Sequence, residues 1–255
     1  MRVLTICPTY GRPQFLGRVV ASFLMQTHTD SDLVIINDDP HVNIIFKHDR
    51  VTVLNINKKH LLDVKRNIGA VMGLNYDLIM PLDDDDIFLP QQIEYHVKKF
   101  QENPSIDFFR NSECFVTLGG CFKRGSNSPN SNAYRPSAFL ANGGYSFFEK
   151  NSSGDQKFSS KFKNKLEVKE PENAHFVYFW FGGNYHLSAI NEKDLESVAA
   201  NQRKKFNISG DFLIEPDFEE VQTYIDLSKK IISGEQPIEI TCSDESGKIK
   251  TIYIT

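Results

Sequence analysis

Apolar and polar positions alternate with two different periods through the first hundred residues. Residues 3–7, Val-Leu-Thr-Ile-Cys, form a short β-rich run closed by Pro8-Thr9-Tyr10-Gly11-Arg12-Pro13, whose prolines and glycine mark a turn. Phe15, Leu16, Val19, Val20, Phe23 and Leu24 then recur at helical spacing, with Pro13 suited to a helix's first turn. Residues 33–36 predict a second strand ending in Asn37-Asp38-Asp39, residues 51–56 a third and residues 78–82 a fourth. Residues 61–74 and 90–100 predict helices. Repeated strand-helix-strand units predict an α/β fold, a mostly parallel sheet with helices on both faces.

Beyond about residue 105 the pattern loosens. Residues 119–154 are rich in Gly, Ser and Asn and predict loops folded over a site rather than a second core. Residues 174–181 form an aromatic strand in which Tyr178 and Trp180 are candidates for stacking on a ligand, with core packing the plainer role. Residues 218–232 predict an amphipathic helix, and residues 238–241 with 249–254 a terminal hairpin.

A chain of 255 residues holds one large domain or a domain with an elaborate second lobe. No run approaches the roughly 20 apolar residues of a membrane-spanning helix, so no integral membrane association is expected. The N-terminus reads as a strand and not a signal peptide, which makes the cytoplasm the expected location. Cys7, Cys114, Cys121 and Cys242 have no CxxC spacing, which argues against a zinc site or a disulfide framework. The net charge of −4 is unevenly spread. Residues 110–210 carry 14 Lys and Arg against 9 Asp and Glu, an excess of five, including the run Lys157, Lys161, Lys163, Lys165 and Lys169. Such an excess attracts an anionic partner unless it is ordinary solvated surface.

The strongest chemical signal is Pro81-Leu82-Asp83-Asp84-Asp85-Asp86-Ile87-Phe88-Leu89-Pro90, four carboxylates directly after an apolar strand. Like charges so close repel unless a cation joins them, and Mg²⁺ or Mn²⁺ held by one or two carboxylates plus phosphate oxygens is a common solution. An acidic solvated loop is the plainer alternative. The position counts against it, because open α/β sheets bind ligands at the carboxyl ends of their strands.

Taken in order, Cys7-Pro8-Thr9-Tyr10-Gly11-Arg12-Pro13, Asn37-Asp38-Asp39, Lys65-Arg66-Asn67-Ile68-Gly69 and Leu82-Asp83-Asp84-Asp85-Asp86 resemble the nucleotide-sugar half of glycosyltransferase family 2, which has the GT-A fold. The resemblance implies a donor-binding half over residues 1–105 and an acceptor-binding, catalytic half of the same domain over residues 106–255. It places Pro8, Thr9, Tyr10 and Arg12 at the donor, with Thr9 and Arg12 at its diphosphate, where backbone N–H groups and a guanidinium suit the charge. It assigns Asp39 to the nucleotide base, Asp38, Arg66 and Asp84 to further donor contacts, Asp83 to the ribose side of the acidic motif, and Asp85 to the metal, with Asp86 as competing ligand. An acidic residue a short way after a Gly-Gly-aromatic segment serves as the family's general base. Asn142-Gly143-Gly144-Tyr145 followed by Gly154-Asp155-Gln156 has that layout, although the family often has Glu-Asp where this chain has Gly-Asp. Asp155 is therefore the expected base and Glu149 the second candidate. Gly182-Gly183-Asn184-Tyr185-His186-Leu187-Ser188 resembles a late His-x-Ser segment whose histidine reaches the metal, which makes His186 a further ligand candidate.

The expected activity is a metal-dependent, inverting transfer from a nucleotide-diphosphate sugar, UDP-linked first, to a saccharide or glycan hydroxyl, with Mn²⁺ or Mg²⁺ as cofactor. Hydroxymethylated DNA of a phage is an alternative acceptor, reached by groove insertion or base flipping. A non-catalytic sugar-nucleotide or glycan-binding module is the rival of another class. A nucleotidyltransferase is a third, disfavoured because the loop after the first strand lacks a lysine.

Overall fold

The computed structural model describes residues 1–118, 121–126, 131–146, 154–180, 192–234, 239–243 and 249–253. The first strand, β1 (Val3–Thr9), is buried along its whole length, as befits a strand covered on both faces. Its side chains alternate between two layers. Val3 and Cys7 pack with Leu16, Val19, Val20 and Phe23 of α1 (Leu16–Leu24), whereas Leu4 and Ile6 enter the opposite layer. β2 (Ser31–Asn37), the short β3 (Val42–Ile45) and β4 (Val51–Asn55) follow, then α2 (Leu62–Met72) and β5 (Leu78–Pro81). β2 and β5 flank β1 in parallel, and β4 lies parallel to β2.

The order therefore reverses at β1, with β2 and β4 on one side and β5 on the other. The loops leaving β1, β2 and β5 open into one crevice at that point. α2 lies close on the sheet floor there: a Cβ added at Gly69 would stand 2.3 Å from the Ile6 methyl Cγ2.

β6 (Ile87–Phe88) leads to α3 (Gln92–Glu102), β7 (Phe108–Asn111), β8 (Glu113–Leu118), β9 (Cys121–Ser126) and β10 (Asn132–Tyr134). α4 (Pro136–Ala141), α5 (Gly154–Ser160), β11 (Lys165–Val168) and β12 (Phe176–Trp180) come next. The main sheet has the order β4-β2-β1-β5-β10-β7-β11. β10 is antiparallel to both its neighbours while β11 is parallel to β7, so β7 and β11 run in the direction of the first four strands. The sheet is thus continuous across residue 105.

A second sheet, β6-β12-β8-β9, packs Phe115, Phe122, Val177 and Phe179 against Val221, Tyr224 and Ile225. Residues 119–154 accordingly are not mere loops, contrary to the pattern read from composition. They carry β9, β10 and α4, elements too short to show a period. Tyr134 of β10 meets the rings of Phe139, Phe158 and Phe162 at centroid distances of 6.1, 5.0 and 6.0 Å, so long-range aromatic packing selects the conformation.

α6 (Glu192–Lys205), β13 (Gly210–Leu213) and α7 (Phe218–Ser233) complete this half; β13 pairs in parallel with β3. Asp217 caps α7 by accepting the Glu220 N–H at 2.8 Å, and Gly234 ends it in the left-handed region at φ 69°. β14 (Glu239–Ser243) and β15 (Ile249–Tyr253) pair antiparallel as the expected hairpin, whose turn and outer ends lie outside the described residues. Among the described residues no helix is long and apolar enough to cross a membrane.

Candidate active site

Six of the expected site residues meet at the switch point. Thr9 ends β1 and donates its hydroxyl to Asp84 Oδ2 at 2.6 Å. The buried Arg12 spreads its guanidinium over two carboxylates, reaching Asp85 Oδ2 at 2.7 Å through Nη1 and Asp84 Oδ1 through Nη2. Arg66, on the face of α2 that looks into the crevice, donates to Asp83 Oδ1 at 3.1 Å. Arg18 of α1 supports the acidic loop from behind, donating to the Asp85 carbonyl at 2.9 Å and to Glu220 at 3.2 Å while its guanidinium lies over the Phe179 ring. Two cations thus face the aspartates directly and a third holds their backbone, a fixed arrangement suited to oxyanions and divalent cations.

The carboxylates differ in environment. Asp84 is fully buried, and burial raises its pKa to about 6 despite Arg12 beside it. Burial also holds the Asp86 carboxyl well above the usual range, with Asp85 and Asp83 adding to the effect. Asp86 accepts the Phe179 N–H at 3.1 Å through Oδ1, joining the acidic loop to β12, and its Oδ2 has no hydrogen-bond partner among the described residues. The side chains of Asp83 and Asp85 are 25 % and 14 % exposed and form the open rim. Their hard oxygens suit Mg²⁺ or Mn²⁺, which bind through one or two carboxylates and complete their shells with phosphate and water. Among the described residues no three metal-ligating side chains cluster on their own.

Asp38 and Asp39, at the end of β2, are also brought to the crevice. Asp38 is buried between the Lys65 ammonium, at 2.6 Å, and the His60 N–H, at 2.7 Å. Lys65 also donates to the Thr9 carbonyl at 2.9 Å and so ties the first two loops together. Burial lowers the Lys65 pKa, against the pull of Asp38. Asp39 accepts from the His41 N–H at 3.0 Å and from Arg203 at 2.7 Å. The Tyr10 hydroxyl donates to Glu196.

The segment expected to lead to the base is pinned to α2. The Asn67 side chain donates to the Tyr145 carbonyl at 3.0 Å and accepts the Tyr145 N–H at 2.9 Å. Gly143 and Gly144 make the turn at φ 71° and 67°, where a side chain is strained. Asp155 lies in the first turn of α5. Glu149 and His186 fall outside the described residues. Two lysines of the basic run have local partners: Lys161 donates to the Gly144 carbonyl at 2.7 Å and Ser146 Oγ at 2.9 Å, and Lys165 pairs with Glu167 at 3.4 Å. Tyr178 packs against the main core cluster. Cys7 and Cys114 are buried thiols.

Lys65, Asn67, Arg18, Glu196 and Arg203 were not anticipated at the site. Lys65 and Asn67 flank Arg66 in its motif and were legible there. α6 carried a weaker signal: Leu195, Val198 and Ala199 at helical spacing, acidic residues at its start and Arg203-Lys204-Lys205 at its end, which complement the helix dipole.

An open, mostly parallel sheet with a charged crevice at its switch point defines an α/β protein of the class that binds ligands at its strand ends. The chain belongs to glycosyltransferase family 2: the family model described as Glycosyl transferase family 2 matches residues 5–151, more than half of its length. It is similar to an uncharacterized glycosyltransferase of Haemophilus influenzae, 27% identical over 119 residues, 45% of this chain and 40% of that protein. The uncharacterized glycosyltransferase YwdF of Bacillus subtilis is 30% identical over 105 residues, 40% of this chain and 39% of YwdF. The chain thus spans about two fifths of the length of these curated relatives. Among solved structures, Staphylococcus aureus TarS in complex with UDP-GlcNAc has a TM-score of 0.58 at 14% identity, covering 90% of this chain and 73% of that one. The mannosyltransferase PcManGT of Pyrobaculum calidifontis, in complex with GDP-Man and Mn²⁺, has a TM-score of 0.53 at 11% identity, covering 91% and 73%. At such identities the likeness establishes the GT-A fold.

Proposed function

We propose that this chain is a metal-dependent, inverting glycosyltransferase that moves a sugar from a UDP-linked donor to a hydroxyl of a saccharide or glycan. The observation that carries this reading is the Arg12 guanidinium spread over Asp84 and Asp85 beside Thr9, at the point where the strand order reverses. Family membership and the nucleotide sugars bound by TarS and PcManGT support it.

In this reading Thr9, Arg12 and the backbone from Pro8 to Tyr10 bind the diphosphate, Arg66 and Asp83 hold the sugar-proximal side, and Asp38 and Asp39 shape the base end. Asp85 would hold Mn²⁺ or Mg²⁺, with His186 as a further ligand and Asp86 as competitor; the cation's part is to offset negative charge on the departing diphosphate. The acceptor hydroxyl attacks the anomeric carbon from the face opposite the nucleotide, its proton passes to Asp155, and the bond from sugar to diphosphate breaks with inversion. Asn67 holds the turn from which the chain proceeds to that base.

Calorimetry with UDP and Mn²⁺ tests the donor site. Asp85→Asn is expected to abolish metal-dependent binding and leave the fold intact, and an unchanged metal-dependent affinity would sink the assignment. In turnover assays Asp155→Asn should lower the rate by on the order of 10²-fold or more with little change in UDP affinity. Near-normal turnover would move the role to Glu149.

A further inference from the structure

Two of the residues assigned to the donor are sealed by a helix from the far end of the chain. Asp39 is 2% exposed and Tyr10 3%. Arg203 of α6 donates through Nη1 to Asp39 Oδ2 at 2.7 Å and through Nη2 to Glu196 Oε1 at 2.6 Å, and the Tyr10 hydroxyl donates to the second oxygen of Glu196. The result is a closed chain, Asp39 to Arg203 to Glu196 to Tyr10. Positions 196, 199 and 203 are spaced to share one face of the helix. Ala199, between the two charged residues, rests on the loop after β1: a Cβ built at Gly11 would lie 2.4 Å from the Ala199 Cβ. Gln14 reaches Gln202 at 3.4 Å and extends the same contact.

An aromatic base needs both a free edge of Asp39 and a flat space beside it, and a carboxylate this deeply covered offers neither. We propose that α6 competes with the nucleotide for the base end of the donor site, so that UDP binds only as Arg203 gives up Asp39 and Glu196 gives up Tyr10. Arg203 and Glu196 thereby set donor affinity. This inference rests on the assignment of Asp39 and Tyr10 to the donor.

The helix is held in a way that permits release. Among the described side chains of α6 only Ala199 is a buried apolar group, whereas α7 buries Val221, Tyr224, Ile225 and Leu227. Elements with so little apolar burial open at a small fraction of the global unfolding free energy. Asp39 is not stranded when Arg203 leaves, because it retains the His41 N–H.

The test is calorimetry of UDP with Mn²⁺ on the wild-type chain, Arg203→Met and Glu196→Gln, the last retaining the size and hydrogen-bonding capacity of the side chain. Both variants are expected to bind UDP more tightly, on the order of tenfold if the open state is populated at about one part in ten. Amide exchange in α6 without nucleotide should quicken in the same variants. Weaker UDP binding in Arg203→Met would mark the guanidinium as a donor contact and overturn the competition. Unchanged affinity in a folded Glu196→Gln would overturn it as well. Binding of neither UDP nor GDP by any of the three proteins would remove the donor reading and this proposal with it, whereas measurable binding that the substitutions fail to strengthen removes this proposal alone.

Discussion

At the scale of single residues, the crevice is a set of buried charges that depend on one another. Lys65 and Asp38 are the clearest pair, with side chains 5% and 0% exposed and charged atoms 2.6 Å apart. Deleting one member of such a pair costs far more than the pair itself is worth, because the surviving charge stays buried. Lys65→Met is expected to lose about 3 kcal/mol or more of unfolding free energy, read from the urea midpoint at constant slope. Adding Asp38→Asn should return a large part of that loss, since the stranded carboxylate becomes neutral. A single variant as stable as wild type would mean that Asp38 finds another cation or solvent. Arg12 cannot be exchanged for lysine on the same logic, because its two nitrogens serve two different carboxylates.

Elements are joined by polar side chains at their ends as well as by apolar packing. His96 of α3 is enclosed, with Nδ1 2.8 Å from the Gln92 carbonyl and Nε2 3.4 Å from the Ser131 carbonyl at the start of β10. Phe109 meets its ring edge-on at 5.0 Å. Burial lowers its pKa to about 4 from the ordinary 6.5, although both carbonyls favour the charged form. Between those two values the unfolded chain holds a proton that the folded chain lacks, so stability is full above pH 6.5 and falls as the pH drops toward 4. The loss attributable to this one group is roughly 3 kcal/mol. Urea unfolding from neutral to mildly acidic pH, compared with His96→Gln, checks it: the difference between the two proteins should shrink as the pH falls through the window. A difference independent of pH would mean that the imidazole titrates normally.

At the scale of the whole molecule the open question is the acceptor. The +5 excess of residues 110–210 suggested an anionic polymer, while Lys161 is engaged by Gly144 and Ser146 and Lys165 pairs with Glu167. The proposed acceptor is a neutral glycan. Its Michaelis constant should change little between roughly 50 and 200 mM salt, in wild type and in a variant with Lys157 and Lys163 changed to Gln. A steep log-linear rise on hydroxymethylated DNA, relieved in that variant, would instead point to phosphate contacts and counterion release.

Much of this molecule was legible in its local patterns. The four parallel strands at residues 3–9, 31–37, 51–55 and 78–81 follow from short buried-type runs between helical periods. The helical period of residues 218–232 announced α7, and the acidic loop announced itself by charge alone. These are signals within a few residues of one another, where sterics and hydrogen bonding act directly on the chain. The tertiary structure alone decided that three-residue β10 enters the sheet antiparallel, that Asp86 turns to the backbone of β12, and that Arg203 reaches Asp39 across 164 positions. A strand that short and a helix that polar have little preference of their own. Their places are set by the aromatic cluster around Tyr134 and by buried carboxylates that need cations, neither of which exists until distant parts of the chain have met.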